Sequence, residues 1–127
     1  MKLPQHRLVT TPQQWQACLE KLQAEPQLAI DLEANSMHAY REQVCLIQVS
    51  IPRQDYIIDP LAKLELSGLG ALLADPAVEK VFHAAEYDLT LIQRQYGWEL
   101  NNLFDTMWAA RILGYSRYGL AHLLKKL

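Results

Sequence analysis

Hydrophobic and polar positions alternate with a period of two from Leu28 to Glu33. Leu28, Ile30 and Leu32 fall on one face, and Ala29, Asp31 and Glu33 on the other. This pattern predicts a strand with one aliphatic face and one that carries carboxylates. Val44 to Ile51 (VCLIQVSI) is apolar on both faces, as expected of a strand inside a sheet. Pro52-Arg53-Gln54 turns the chain into a third strand, Asp55 to Ile58, which ends at Asp59-Pro60. Two adjacent strands joined by this short turn predict an antiparallel hairpin meander. Upstream, His6 to Thr10 reads as a short edge strand. Thr11-Pro12 then sets a capping hydroxyl before a proline at the first helical position. Trp15, Cys18, Leu19 and Leu22 follow at helical spacing, and Pro26 marks the helix end.

Downstream the pattern changes to alternating helix and strand. Leu69, Leu72 and Leu73 mark a helix that stops near Asp75-Pro76, and Val78 to Phe82 is a strand. Ala84 to Tyr96 is a helix with Ala85, Leu89, Ile92 and Tyr96 as its buried stripe. Leu103-Phe104 is a short strand, Asp105-Thr106 opens a helix through Leu113, and Gly114 ends it. Leu120, Leu123, Leu124 and Leu127 lie at i, i+3, i+4 and i+7 of a last helix. Its stripe still runs at Leu127 without a stop signal, although Lys125 and Lys126 would suit a helix C-terminus. The class is α/β: a mixed β-sheet flanked by helices, in the order a ribonuclease H-like fold presents.

Asp31 and Glu33 are the sharpest chemical feature. Two apart on a strand, they share a face with Cα atoms roughly 7 Å apart. Because the opposite face is aliphatic, the strand is an interior one, where paired carboxylates repel each other and lose hydration. A divalent cation such as Mg²⁺ or Mn²⁺ would relieve both costs. The alternative is a solvated pair, or one bridged to Arg41 or Lys80. Asp88 lies about 60° from the centre of its helix's apolar stripe, so it borders the buried face. It is either a third acid aimed at the sheet or a first-turn acid favoured by the helix dipole. His83, just ahead of that helix, is a metal ligand, a substrate contact or, in the plainer reading, a helix-entry histidine bonded to backbone. Asp105 reads as an N-cap. His38, Tyr40 and Arg41 lie in the polar stretch between the first two meander strands, facing the same cleft or simply solvated.

At 127 residues, half of them hydrophobic and a fifth charged, the chain has room for one domain with one core. Its net charge of −2 argues against a protein that coats nucleic acid non-specifically, since phosphate contacts dominate such binding. An enzyme that grips one strand end in a narrow cleft remains compatible. No apolar run is long enough to cross a bilayer and the N-terminus lacks a secretory h-region. Cys18 and Cys45 read as buried thiols of a cytoplasmic protein rather than as redox or metal groups. There is no zinc spacing, Gly-rich phosphate loop or nucleophile elbow.

Taken in order, the blocks Asp31-Leu32-Glu33-Ala34-Asn35-Ser36, Cys45 to Ser50, Asp55 to Asp59, Val81 to Asp88, Phe104-Asp105-Thr106, Ala109-Ala110-Arg111 and Leu120 to Leu124 resemble the RNase D-type 3′–5′ exonucleases of the DEDD superfamily. The likeness runs from Leu28 onward and is nearest to the exosome-associated branch. It implies a two-metal exonuclease, dependent on Mg²⁺ or Mn²⁺, that acts on single-stranded RNA 3′ ends in RNA processing or decay and releases nucleoside 5′-monophosphates. DNA is not excluded as a substrate. By the same resemblance Asp31 would bridge both metals, Glu33 would hold the one that activates water, and Asp88 would support the other. His38 and His83 are candidate substrate contacts. The family's third motif, a Tyr followed four residues later by the last Asp, is absent: no Asp follows Tyr115 or Tyr118 at that spacing. The resemblance therefore implies an exonuclease domain over 1–127 that lacks its C-terminal helices and is inactive by itself. The competing expectation is a catalytically silent nucleic-acid-binding or scaffolding module, which would not need three convergent acids.

Overall fold

The computed structural model describes residues 5–35 and 42–126. The chain runs β1 (Gln5–Val9), α1 (Pro12–Gln23), β2 (Gln27–Asn35), β3 (Gln43–Ile51), β4 (Gln54–Ile58) and α2 (Ser67–Ala74). It continues through β5 (Glu79–Phe82), α3 (Ala85–Tyr96), β6 (Leu103–Asp105), α4 (Thr106–Ile112) and α5 (Leu120–Lys126). The six strands form one mixed sheet in the order β1-β4-β3-β2-β5-β6. β2, β3 and β4 are the antiparallel meander that the alternation predicts. β5 and β6 add in parallel on one side, and β1 pairs in parallel with β4 on the other. This is the ribonuclease H-like arrangement.

Local chemistry accounts for the element starts. Thr11 Oγ1 accepts the Gln14 N–H at 3.2 Å, and Gln14 Oε1 accepts the Thr11 N–H at 3.1 Å, a reciprocal cap ahead of Pro12. The core lies against the aliphatic face of the sheet. Leu28 and Ile30 of β2, Ile47 and Val49 of β3, and Phe82 of β5 are buried there. Trp15, Cys18 and Leu22 of α1 and Leu69, Leu72 and Leu73 of α2 cover them. Lys80 is fully buried on this side, at 0% exposure. Its Nζ donates to the carbonyls of Leu72 (2.9 Å) and Asp75 (2.7 Å), satisfying acceptors at the C-terminal end of α2. Burial lowers the Lys80 pKa, and nearby Asp75 offsets this in part.

Between Glu33 and Ala34 the β2–β3 register slips by one residue, since Glu33 faces Leu46 while Ala34 faces Val44. Cys45 is the extra residue of this bulge. Its Sγ donates to the Glu33 carbonyl at 3.4 Å. The expectation of two buried thiols is thus corrected: both cysteines are free, but only Cys18 is buried, because the bulge lifts Cys45 out of the ladder. A second correction concerns α3. It starts at Ala85 rather than Ala84, which adopts a left-handed conformation at φ 59°.

Candidate active site

Asp31 and Glu33 occupy the face of β2 opposite the core and are exposed there, as their alternation with buried Leu28 and Ile30 requires. β5 accompanies β2 only through the pair Ala29 and Val81. Beyond Ala29, β2 has no strand partner on that side among the described residues, and α3 is the element that follows β5. The Leu32 backbone N–H, in the half of β2 that β5 does not reach, lies near enough to the Asp88 carboxylate to favour its charged form.

Asp88 is 8% exposed. The expectation that it borders the stripe is corrected, because it lies within it. The buried residues of α3 are Ala85, Asp88, Leu91 and Ile92, while Leu89 and Tyr96 are only partly buried against the core. Recruitment of Leu91 rotates the helix so that Asp88 faces the protein. Burial first, and then the neighbouring Asp31 charge, raise the Asp88 pKa to about 6, and the Leu32 N–H opposes them. Asp31 and Asp88 are thus brought together, with more negative charge than their surroundings neutralise.

Lys80 cannot relieve that charge, since it is committed to the end of α2. Among the described residues no ion pair holds Asp31 or Glu33. Arg41, Tyr40 and the candidate contact His38 lie outside the described residues. Among the described residues no three His, Cys, Asp or Glu side chains are gathered closely enough to hold a metal ion. Glu33 shares the strand face with Asp31 but is not drawn into the Asp31–Asp88 pair. Two repelling carboxylates, one of them buried, nonetheless form a hard-oxygen donor set suited to a divalent cation.

The exposed face of the sheet forms one wall of a cleft of about 550 Å³, lined among others by Ala29, Asp31, Gln48, Ser50, His83 and Thr106. His83 Nδ1 lies 2.8 Å from Thr106 Oγ1, and Thr106 Oγ1 donates to the Phe82 carbonyl at 3.1 Å. The hydroxyl proton is spent on that carbonyl, so Thr106 accepts from Nδ1–H. Nε2 is left as an acceptor. The expected backbone bond of His83 is thereby corrected to a side-chain one. Asp105 caps α4 as expected: its Oδ1 accepts the N–H groups of Met107 (2.9 Å) and Trp108 (3.3 Å). It also accepts from Ala84 and Ala85, which the sequence did not reveal. Burial pushes its pKa up, but these four amide donors outweigh it and hold the carboxyl below its ordinary value.

An α/β domain of ribonuclease H-like fold, with two acids meeting at the unaccompanied half of its central strand, has the frame of a nuclease. Residues 6–127 match the sequence family described as 3′-5′ exonuclease, and the chain belongs to that family. Human Exosome complex component 10 is 41% identical over 107 residues, which are 84% of this chain and 12% of that protein. The catalytic core of RRP6 from Trypanosoma brucei superposes with a TM-score of 0.91 at 30% identity, covering 98% of this chain and 34% of the other. Escherichia coli RNase D does so at 0.87 and 29%, covering 96% and 33%. The chain thus spans about a third or less of the length of these relatives. Members of the family generally depend on divalent metal ions. Among the described residues no helix is long and apolar enough to cross a membrane.

Proposed function

We propose that this chain serves a 3′–5′ exoribonuclease, in which Asp31, Asp88 and Glu33 hold two Mg²⁺ or Mn²⁺ ions. The observation that supports it most is the buried Asp88 carboxylate set beside Asp31, with its pKa raised to about 6 and no described cation to neutralise the pair. Bound divalent ions would supply Lewis-acid stabilisation of the attacking and leaving oxygens of a phosphodiester. The chain's own part is to present carboxylate oxygens from a rigid central strand and to keep Asp88 beside the Leu32 N–H. His83 Nε2 faces substrate as an acceptor suited to a ribose hydroxyl. E. coli RNase D is described as an exoribonuclease involved in structured RNA processing, and RNA 3′ ends are the proposed substrate here.

The test uses this chain joined to a following segment with the Tyr-x₃-Asp pattern. Such a protein should shorten an RNA with a free 3′-hydroxyl in the presence of Mn²⁺ and release nucleoside 5′-monophosphates. Asp31→Asn should reduce the rate by at least about a hundredfold, since a lost ligand removes charge stabilisation from the transition state. Equal rates in the two proteins would refute the assignment of Asp31.

A further inference from the structure

Helix α3, which carries Asp88, has no cap of its own. The residue ahead of it is Ala84, whose side chain has no oxygen and whose backbone is left-handed (φ 59°, ψ 61°). That conformation is strained for any residue with a Cβ, and it persists only where neighbours impose it. The neighbour here is Asp105. Its Oδ1 accepts the Ala84 N–H at 3.0 Å, and its Oδ2 accepts the Ala85 N–H at 2.8 Å. Oδ1 also caps α4 through Met107 and Trp108. The pairing of Phe82 with Asp105 in the sheet sets the carboxylate where β5 passes into α3.

We propose that Asp105 is a positioning residue for Asp88: its carboxylate clasps the strained entry to α3 and so fixes where the first turn delivers Asp88. The role rests on the reading of Asp31 and Asp88 as metal ligands. Asp88 is three residues past Ala85, within the turn whose direction Ala84 sets. Without the clasp, Ala84 relaxes, the first turn swings, and Asp88 leaves the Leu32 N–H and Asp31. The two oxygens of Asp105 divide the work. Asp105→Asn keeps Oδ1 and its three donors, including the α4 cap, but turns an NH₂ group toward the Ala85 N–H, donor against donor.

The experiment titrates Mn²⁺ alone into the chain by calorimetry, with circular dichroism and amide hydrogen exchange in parallel. Asp105→Asn should keep its helix content, exchange the Ala85 amide faster and bind Mn²⁺ about tenfold more weakly, as is usual when a group that orients a ligand is removed. Ala84→Gly removes the strain that the clasp contains. The double variant should therefore recover most of the lost affinity, a rescue that loss of a distant negative charge would not show. In the unaltered chain, Mn²⁺ should slow exchange at Ala84 and Ala85, because coupling between the two places is reciprocal. This last measurement stands even if Asp105→Asn fails to fold. Mn²⁺ affinity within twofold of the parent in Asp105→Asn, or unchanged exchange at Ala84 and Ala85, overturns the clasp. Asp31→Asn is the separate control: Mn²⁺ binding that ignores it overturns the metal site itself, and with it what Asp105 positions.

Discussion

Asp88 carries its proton to higher pH in the folded chain than in the unfolded one, where its value is 3.8, because burial and Asp31 raise it to about 6. Between about pH 4 and pH 6 the native state holds a proton that the unfolded state has released, so stability falls as pH rises through that window. A rise from 3.8 to about 6 corresponds to about 2–3 kcal/mol at neutral pH. Asp88→Asn should therefore be more stable than the parent at pH 7 by about 2 kcal/mol in urea denaturation and indistinguishable from it near pH 4. Parallel stability–pH curves would contradict this account. His83 offers a second check. In its neutral form the ring should show a protonated Nδ1 and a bare Nε2 by ¹⁵N NMR, and Thr106→Val should erase that preference. Asp31 and Glu33 were legible as a pair from their spacing alone. The depth of Asp88 was not, because the alternation of Leu89 and Tyr96 with polar neighbours pointed the stripe elsewhere. Only the packing of Leu91 against the core decides which way that helix turns.

At the scale of elements, most helices and strands follow from period and punctuation. Thr11-Pro12, Pro26, Asp75-Pro76 and Gly114 mark boundaries because each acts within a few residues of itself. What escaped were partnerships across long stretches of chain. Lys80 looked like an ordinary strand lysine and a candidate partner for the acids, yet it ends under α2. Lys80→Ala should destabilise the fold by about 2 kcal/mol, since it leaves a cavity and removes the lysine donor from the Leu72 and Asp75 carbonyls, each of which keeps one backbone N–H. A loss below about 0.5 kcal/mol in urea denaturation would mean that water or repacking replaces it without cost. Likewise Asp105 was readable as the cap of the helix it precedes, but nothing near it in sequence announces the second helix it serves. The bulge at Cys45 was hidden for the reverse reason: Val44 to Ile47 is an unbroken apolar run, so a slip by one residue within it leaves no mark in the pattern.

For the whole molecule, the meander and the later helix–strand alternation were enough to predict the class of fold. They did not reveal that β1 lies beside β4, the far edge of the meander. The unbalanced acids make one global prediction. Mn²⁺ should raise the melting temperature of the chain, chelation should remove the gain, and Asp31→Asn should abolish it. At a hundredfold excess over the dissociation constant the gain corresponds to about 2.7 kcal/mol. A melting temperature indifferent to Mn²⁺ would count against a metal site in this chain. The sheet order also constrains how the protein comes into being. Val9 pairs with Ile58, so β1 has no partner strand until the meander behind it has closed. Strand pairings that join such distant residues are slow, because a long loop must be ordered before any contact rewards it. During synthesis, β1 leaves the ribosome before β4 and waits for it with an open edge.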